Sequence, residues 1–224
     1  MDLSLIQRTY PFFMDAAWVT VQISLLSLLL GLCLAIVLVA LRLSPIIILR
    51  WAANIYVSVF RGTPCLVQLF IIYFGGPQIG IELEPFSAAV IGLGMNIAAY
   101  MSASIRGAID NVDPGQAEGA RSIGFSRRQT LLYIIIPQAM KLMIRPLGVN
   151  AIGLIKGSAL VSAISVVELT YTAQRFIAQP TNRSRYSWCR RCFISSWSTR
   201  SSAWWKYWTG DTRPNEECQW KDST

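Results

Sequence analysis

Few side chains in this 224-residue chain have the types and spacing that catalysis or metal binding requires. Histidine is absent, and Cys189 and Cys192 form a lone CxxC pair with no second pair to complete a zinc site. The sequence contains no GxxxxGK[ST] phosphate loop and no carboxylate pair beside a nucleophile. We therefore predict a protein that is not an enzyme and that uses no cofactor or metal.

The remaining polar groups of interest lie inside or beside long apolar runs. Asn96 and Tyr100 belong to one such run, while Lys156 interrupts another and Glu168 ends it. A lysine at membrane depth is costly unless it faces a bundle interior, a watery cavity or a counter-charge. These four residues are therefore candidates to line a substrate path. For Asn96 and Tyr100, hydrogen bonding to neighbouring helices is an equal alternative.

The apolar runs predict an all-α integral membrane protein, a helical bundle of about four transmembrane spans. Only 14% of the residues are charged, against about 25% in soluble domains. Residues 16–41 carry no charge and are long enough to cross a hydrocarbon core of about 30 Å. Residues 1–15 are predicted to be an interfacial lead-in. The other predicted spans are 51–75, kinked near Pro64, then 85–105, and finally 146–167, interrupted at 156–158.

A polar segment at 113–137 separates the last two runs and carries two helix-start signals. Asp113 and Ser126 are each followed three residues later by a glutamine, which is the spacing of a capping box. Pro114 suits the first helical position, and Gly124 suits the left-handed position that ends a helix. The segment is therefore predicted to form a helix-turn-helix outside the bilayer.

The charge distribution predicts how the chain crosses the membrane. The net charge is +8, but the positive residues fall mainly on particular loops, which favours membrane orientation over nucleic-acid binding. The loops at 42–50 and 106–145 are basic, whereas the loop at 75–84 has two acids and no base. Basic loops stay in the cytoplasm. The N-terminus is therefore predicted to lie outside and the helix-turn-helix inside.

The helix-turn-helix resembles the cytoplasmic loop signature of ABC importer permeases. That signature reads Glu-Ala-Ala, three residues, Gly, nine residues, and Ile-x-Leu-Pro. This chain keeps its spacing, with glycine at 119 and isoleucine at 136 as departures. Two further stretches are similar to the polar amino acid (histidine/glutamine permease-like) branch of the family: Phe60 to Gln68, and Lys156 to Ser162, where Gly157 replaces the usual aspartate.

The resemblance implies a permease subunit that forms the translocation path of an ATP-driven importer for polar amino acids in a bacterial inner membrane. Its implied partners are cytoplasmic ATP-binding subunits, an extracytoplasmic substrate-binding protein, a second permease chain and lipid. A simpler alternative for Glu118 is a first-turn acid favoured by the helix dipole. Alternatives for the whole chain are a secondary transporter or channel without an ATPase, and a purely structural membrane subunit. The residues implied to couple to the ATPase are Glu118, Gly119, Ala120, Gly124 and Pro137.

The sequence changes character after Gln179. Residues 180–224 hold six of the eight tryptophans and three of the five cysteines, and no uncharged run there approaches the ~20 residues of a span. The family core of five spans implies a fifth apolar helix in this place. We therefore divide the chain into a transmembrane domain at 1–179 and an aberrant, disordered tail at 180–224 created by a frameshift, which would leave a non-functional truncated permease. The alternative is a genuine interaction tail with an aromatic belt.

Overall fold

The computed structural model describes the backbone of residues 3–178 and the side chains of residues 9–178. Within this range all regular structure is helical. Residues 1–174 form one compact unit, and the described part of a second unit, 175–224, is the end of the last helix. The α-helices are α1 (Leu3–Leu43), α2 (Ile47–Gly62), α3 (Cys65–Gly75), α4 (Pro85–Asp110), α5 (Pro114–Ser122), α6 (Arg127–Gln129), α7 (Ile136–Gly157) and α8 (Leu169–Ala178).

Three of the described helical segments are long and apolar enough to cross a membrane: Thr9–Leu43, Pro85–Asp110 and Arg127–Ile164. The pair α2 and α3 passes the same test together, which gives up to four spans if this bent pair is one span. The predicted all-α membrane fold with about four spans is confirmed. Helix α1 has 41 residues and is about 60 Å long, so it continues back through the predicted lead-in.

Helix α4 is the centre of the bundle. It packs against α1, α2, α3 and α7, and 61% of its most apolar window is buried. Small residues allow this crowding because they let neighbouring backbones approach closely. Its buried small residues are Ala88, Ala89, Gly92, Gly94, Ala98, Ala99, Ser102 and Ala108.

Two glycines set the closest approach of α1 to α4. A Cβ on Gly31 would collide with the side chain of Ile97 and lie 3.1 Å from the carbonyl oxygen of Gly94. A Cβ on Gly94 would in turn collide with the side chain of Leu30. A Cβ on Gly31 would therefore require the β-branched Ile97 or the helices to shift, whereas a Cβ on Gly94 would require the Leu30 side chain to move.

We expect Gly31→Ala to destabilise the fold by about 1–3 kcal/mol, because overpacking a close helix contact forces side chains or backbone to move. Gly148→Ala is the matched control, since a Cβ there meets nothing within 4 Å. Thermal unfolding midpoints in detergent would measure both variants. Equal midpoints for the two variants would contradict the predicted close contact.

The helix that contains the fourth predicted span begins before that span does. The prediction placed it at 146–167, but α7 starts at Ile136 and continues through Pro146. The helical segment that meets the span criteria begins still earlier, at Arg127. The interruption predicted at 156–158 is a change of helix type, because α7 ends at Gly157 and a 3₁₀ helix follows over Ser158–Ile164.

The break near Pro64 is a sharp bend between two helices. Helices α2 and α3 are bent by 105° across residues 63 and 64, far more than the kink predicted from the sequence. Thr63 and Pro64 are both extended, with ψ of 145° and 134°. Residues 60–68 therefore form either a broken span or a re-entrant turn, and their backbone groups need partners that a continuous helix would supply.

Candidate functional site

The first helix of the helix-turn-helix is capped as predicted, but without a full capping box. Asp113 Oδ1 accepts a hydrogen bond from the Gly115 N–H at 2.8 Å. The predicted reciprocal bond from Gln116 does not form, because Gln116 Oε1 instead accepts from Gln138 Nε2 at 3.2 Å. This contact ties α5 to α7, so the helix outside the spans is joined to one of them.

The turn after α5 is a Schellman motif centred on Gly124, which confirms the predicted helix stop. The Phe125 N–H donates to the Ala120 carbonyl at 3.1 Å, and the Gly124 N–H donates to the Arg121 carbonyl at 3.0 Å. Gly124 has φ +90°, in the left-handed region that disfavours any side chain. The angle between α5 and the next helix therefore depends on glycine at 124.

We expect opposite effects of alanine at the two glycines of this loop. Gly124→Ala should destabilise the turn by about 1 kcal/mol or more, because φ is positive there. Gly119→Ala should stabilise α5 by about 0.5–1 kcal/mol, because a Cβ at 119 meets nothing within 4 Å. Hydrogen exchange of the amides in 114–125 would show faster exchange in the first variant and slower exchange in the second. The same direction of change in both would contradict this assignment.

The second helix starts with the predicted capping box. The Ser126 N–H donates to Gln129 Oε1 at 2.9 Å, and Ser126 Oγ accepts from the Gln129 N–H at 3.4 Å. The helix then widens into a π-helix over Thr130–Ile135, immediately before Pro137. Because Pro137 has no N–H, it cannot bond to the carbonyl four residues earlier, and the Ile136 N–H donates five residues back to Leu131.

The five predicted coupling residues divide between surface and interior. Glu118, Gly119, Gly124 and Pro137 are exposed, whereas Ala120 is 5% exposed and packs inward. Glu118 is the fifth residue of α5, beyond the first turn, so the helix dipole alone does not explain an acid there. Sequence reasoning missed Ile123, which is 73% exposed at the turn. The sequence feature that could have indicated Ile123 is a large apolar residue at the end of a polar helix.

Asn96 helps to satisfy the backbone at the break between α2 and α3. Its Nδ2 donates to the Phe60 carbonyl at 3.3 Å and to Gln68 Oε1 at 3.0 Å. Gln68 Nε2 in turn donates to Thr63 Oγ1 at 2.6 Å and to the Phe60 carbonyl at 3.0 Å. Gln68 is buried, and the sequence analysis did not single it out as a site residue. This amide pair supplies donors to carbonyls that the broken helix leaves open.

Tyr100 lies one turn from Asn96 on α4 and faces the same end of α2. The Arg61 guanidinium carbon is 5.4 Å from the centre of the Tyr100 ring, within cation–π range. Tyr100 is 37% exposed, and Arg61 is exposed as well. The structure therefore brings Asn96 and Tyr100 together beside residues 60 and 61.

Glu168 is buried elsewhere, at 1% exposure, where α8 meets α1. Its Oε1 accepts from the Tyr171 N–H at 2.9 Å, which caps the first turn of α8. Thr20 Oγ1 is 3.5 Å from Glu168 Oε2 and accepts from the Leu169 N–H at 3.2 Å. Lys156 is exposed in the last turn of α7. The contacts of Glu168 thus lie on α1 and on its own helix, apart from the Asn96 group.

A bundle of apolar helices joined by a polar, capped helix-turn-helix is the architecture of a multi-pass membrane protein. The chain belongs to the family described as "Binding-protein-dependent transport system inner membrane component", whose sequence model matches residues 27–188. Membership places it among multi-pass inner-membrane permeases of ABC importers. The predicted resemblance is confirmed.

Similar proteins support this membership. The chain is 38% identical over 188 residues to the L-cystine transport system permease protein TcyB of Bacillus subtilis, covering 84% of this chain and 80% of that protein. It is 40% identical over 168 residues to the arginine transport system permease protein ArtQ of the same species, covering 74% and 76%. A crystal structure of an amino acid ABC transporter with histidines matches with TM-score 0.77 and 31% identity, covering 91% of this chain and 97% of that chain.

The predicted tail at 180–224 and the Cys189–Cys192 pair lie outside the described residues. The family match ends at residue 188, beyond the predicted boundary at Gln179. Within the described residues, no three His, Cys, Asp or Glu side chains are grouped so that they could hold a metal ion.

Proposed function

We propose that this chain is the permease subunit of an ATP-driven importer for polar amino acids and that it receives the energy of ATP hydrolysis through residues 113–137. The observation that carries the proposal is the capped helix-turn-helix. Its caps fix α5, its Schellman turn fixes the angle at Gly124, and it presents Glu118 and Ile123 to solvent. The names of the similar permeases support the substrate class, since they include cystine and arginine systems.

The proposed partners are two cytoplasmic ATP-binding subunits, a substrate-binding protein outside the membrane, and a second permease chain. We propose that Glu118 and Ile123 contact the ATP-binding subunit, with Gly119 allowing close approach. Ala120, which is buried, and Gly124, which is exposed in the turn, shape the helix-turn-helix, and Pro137 marks where the segment continues into α7. The chain itself is proposed to have no catalytic activity, so that energy enters only through this contact.

The proposed orientation places the N-terminus outside and α5 in the cytoplasm. It rests on the basic loops at 42–50 and 106–145 and the acidic loop at 75–84. Two variants would test this orientation with a membrane-impermeant thiol reagent. They are Gln78→Cys and Gln116→Cys, each made separately in a chain whose own cysteines have been replaced. Labelling from outside is expected at 78 only, and labelling at 116 would overturn the orientation.

For the substrate path we propose Tyr100 and Lys156, whose side chains are exposed in the isolated chain. Asn96 and Glu168 lie next to such a path in the proposal, but their hydrogen bonds serve the α2–α3 break and the start of α8. We therefore propose that Asn96 and Glu168 determine the shape of the path and do not contact the substrate.

Co-purification tests the central proposal. The full chain, expressed with an ATP-binding subunit of an amino-acid importer from the same genome, should retain that subunit in detergent, and deletion of 114–124 should release it. Membrane insertion of the deletion variant would be checked by alkaline extraction. Retention of the ATPase after the deletion would contradict coupling through this loop, and failure of the intact chain to bind the ATPase would favour a truncated permease that does not transport.

A second possibility is a truncated permease that does not transport, and the composition of residues 180–224 favours it. We propose that a frameshift produced this tail, since the run holds eight Lys or Arg and four Asp or Glu with no span-length apolar stretch. Resequencing the gene and detecting the C-terminal peptide by mass spectrometry would decide. An intact frame together with a detected tail peptide would contradict the frameshift.

A further inference from the structure

Arg61 and Tyr100 form an exposed cation–π pair at depth along α4. The Arg61 guanidinium carbon is 5.4 Å from the centre of the Tyr100 ring, and both side chains are exposed. At about 1.5 Å per residue, Tyr100 lies about 22 Å from Pro85 and about 15 Å from Asp110, the two ends of α4. Helix α4 is itself long and apolar enough to cross a membrane. The pair therefore lies well inside this span and not at either end.

An arginine at this depth requires water or an opposite charge beside it. A charged side chain inside a span is costly unless it faces a bundle interior, a water-filled cavity or a counter-charge. Among the described residues the one ion pair joins Arg106 to Asp110, so Arg61 has no acidic partner there. The dipole of α2 favours a base in its last turn, but a helix end carries only about half an elementary charge. The charge of Arg61 is therefore not neutralised within the part of the chain that the structure describes.

A second copy of this chain would bring no described acid to Arg61. Glu168 is 1% exposed and is hydrogen bonded at the start of α8. Asp15 is about 42 Å from Leu43 along α1, farther than the hydrocarbon core of about 30 Å is thick. The other described acids lie outside the spans or at the end of one, and they are Glu82, Glu84, Asp110, Asp113 and Glu118. We therefore expect the opposite charge to come from a molecule that passes through the permease.

The backbone beside Arg61 leaves its guanidinium available to such a molecule. The Val59 carbonyl accepts from the Thr63 N–H at 3.0 Å and from Thr63 Oγ1 at 2.8 Å. The Phe60 carbonyl accepts from two side-chain amides. A Cβ on Gly62 would meet nothing within 4 Å, so there is open space next to Arg61. The guanidinium donors can therefore bind an anion while the nearby carbonyls keep their other partners.

We propose that Arg61 binds the carboxylate of the transported amino acid and that the Tyr100 ring positions the guanidinium. This inference rests on the proposed function, since it names a contact of the amino acid that the permease carries. A guanidinium matches a carboxylate with two parallel N–H···O bonds, which are stronger than bonds between neutral groups. Every α-amino acid has this carboxylate. Arg61 therefore recognises the class, and other residues select the side chain.

Binding of amino acids and of their decarboxylated analogues tests this contact. The full chain in nanodiscs is titrated with L-arginine, L-glutamine and L-cystine, and with agmatine, 4-aminobutanamide and cystamine. A guanidinium–carboxylate contact contributes about ten- to hundred-fold to affinity. Arg61→Gln should weaken binding of the transported amino acid by about that factor and leave binding of its amine analogue unchanged. Arg50→Gln is the matched control, because it removes the same charge from another exposed position on α2.

Two variants of Tyr100 test the positioning role of the ring. Tyr100→Phe keeps the aromatic face and should bind the amino acid as the unaltered chain does. Tyr100→Leu removes the cation–π contact and should weaken amino-acid binding about five-fold. The amine analogue should bind equally well to both variants. Equal amino-acid affinity in the phenylalanine and leucine variants would remove the ring from the proposal.

Unchanged amino-acid binding in Arg61→Gln would overturn the carboxylate contact. An equal loss for the amino acid and its amine would also overturn it, because the effect of Arg61 would then be on the fold. The same equal loss together with lost association of permease chains would show that an acid of a different partner chain occupies Arg61. Co-purification with the ATP-binding subunit is measured separately. If that association fails while Arg61→Gln loses only the amino acid, the proposed function is wrong and the carboxylate contact stands.

Discussion

Glu118→Lys is expected to reduce ATP-driven uptake by about tenfold or more while the chain still inserts into the membrane. Glu118 is exposed on α5, and a cytoplasmic ATP-binding subunit that receives an acid there would meet a like charge instead. Like-charge juxtaposition at an interface costs several kcal/mol, and each 1.4 kcal/mol is a factor of ten in affinity. Uptake and ATPase activity should be measured together in reconstituted vesicles.

Glu82→Lys is the matched control for this change of charge. Glu82 is exposed like Glu118, but it lies in the acidic loop before α4, on the opposite side in the proposed orientation. The Glu82→Lys variant should leave the coupling of ATP hydrolysis to uptake unchanged. Normal coupling in Glu118→Lys would remove Glu118 from the proposed contact, while equal losses in both variants would point to a general effect of net charge.

Glu168→Ala is expected to destabilise the bundle by about 2–3 kcal/mol and to abolish uptake with it. The substitution removes the cap from the Tyr171 N–H and the contact with Thr20. A hydrogen bond to a charged group contributes about 1.5–3 kcal/mol, and a lost helix cap costs about 1 kcal/mol. Thermal unfolding in detergent measures the stability, and labelled amino-acid uptake measures the function.

Glu168→Gln separates a positioning role from a contact with a cationic substrate. Glutamine keeps an oxygen that can accept from Tyr171 and adds an N–H₂ that can donate to Thr20 Oγ1. It should therefore restore both stability and uptake to near those of the unaltered protein. If the Glu168→Gln variant folds normally but raises the KM for a cationic amino acid at least tenfold, the carboxylate charge acts on the substrate and the positioning role is wrong.

The helix-turn-helix could be predicted from the sequence because its determinants are local. Asp113, Gly124 and Ser126 act on backbone groups within a few residues, and all three behave as the sequence indicated. The exception is Gln116, which had the spacing for a capping box. Its partner, Gln138, lies 22 residues away, so no local pattern could show that the side chain was already engaged.

The break between α2 and α3 could be located but its angle could not. The Gly62-Thr63-Pro64 sequence indicates where a helix ends, and the structure ends α2 there. The 105° bend depends on Gln68 and Asn96, which supply amide donors to the open carbonyls. Asn96 is 36 residues from Phe60, and this distance explains why its hydrogen bonding to a neighbouring helix was predicted only as one of two alternatives.

The sequence analysis did not predict that the helix of the fourth span extends so far before residue 146. Lys141 and Arg145 made residues before 146 look like loop, yet both lie exposed within α7. Long basic side chains can extend along a helix towards the interface, so a helix can carry them without ending.

The π-helix before Pro137 connects α6 to α7 through turns that are wider than those of an α-helix. Each π turn holds one residue more than the α turn it replaces, and one residue corresponds to about 1.5 Å of rise and about 100° of rotation. Exchange of i→i+5 for i→i+4 bonds over Thr130–Ile135 would change the phase of α7 relative to Ser126 without breaking the chain. In the proposed orientation, a displacement of α5 by the ATP-binding subunit would then reach the span as a rotation of α7 about its axis.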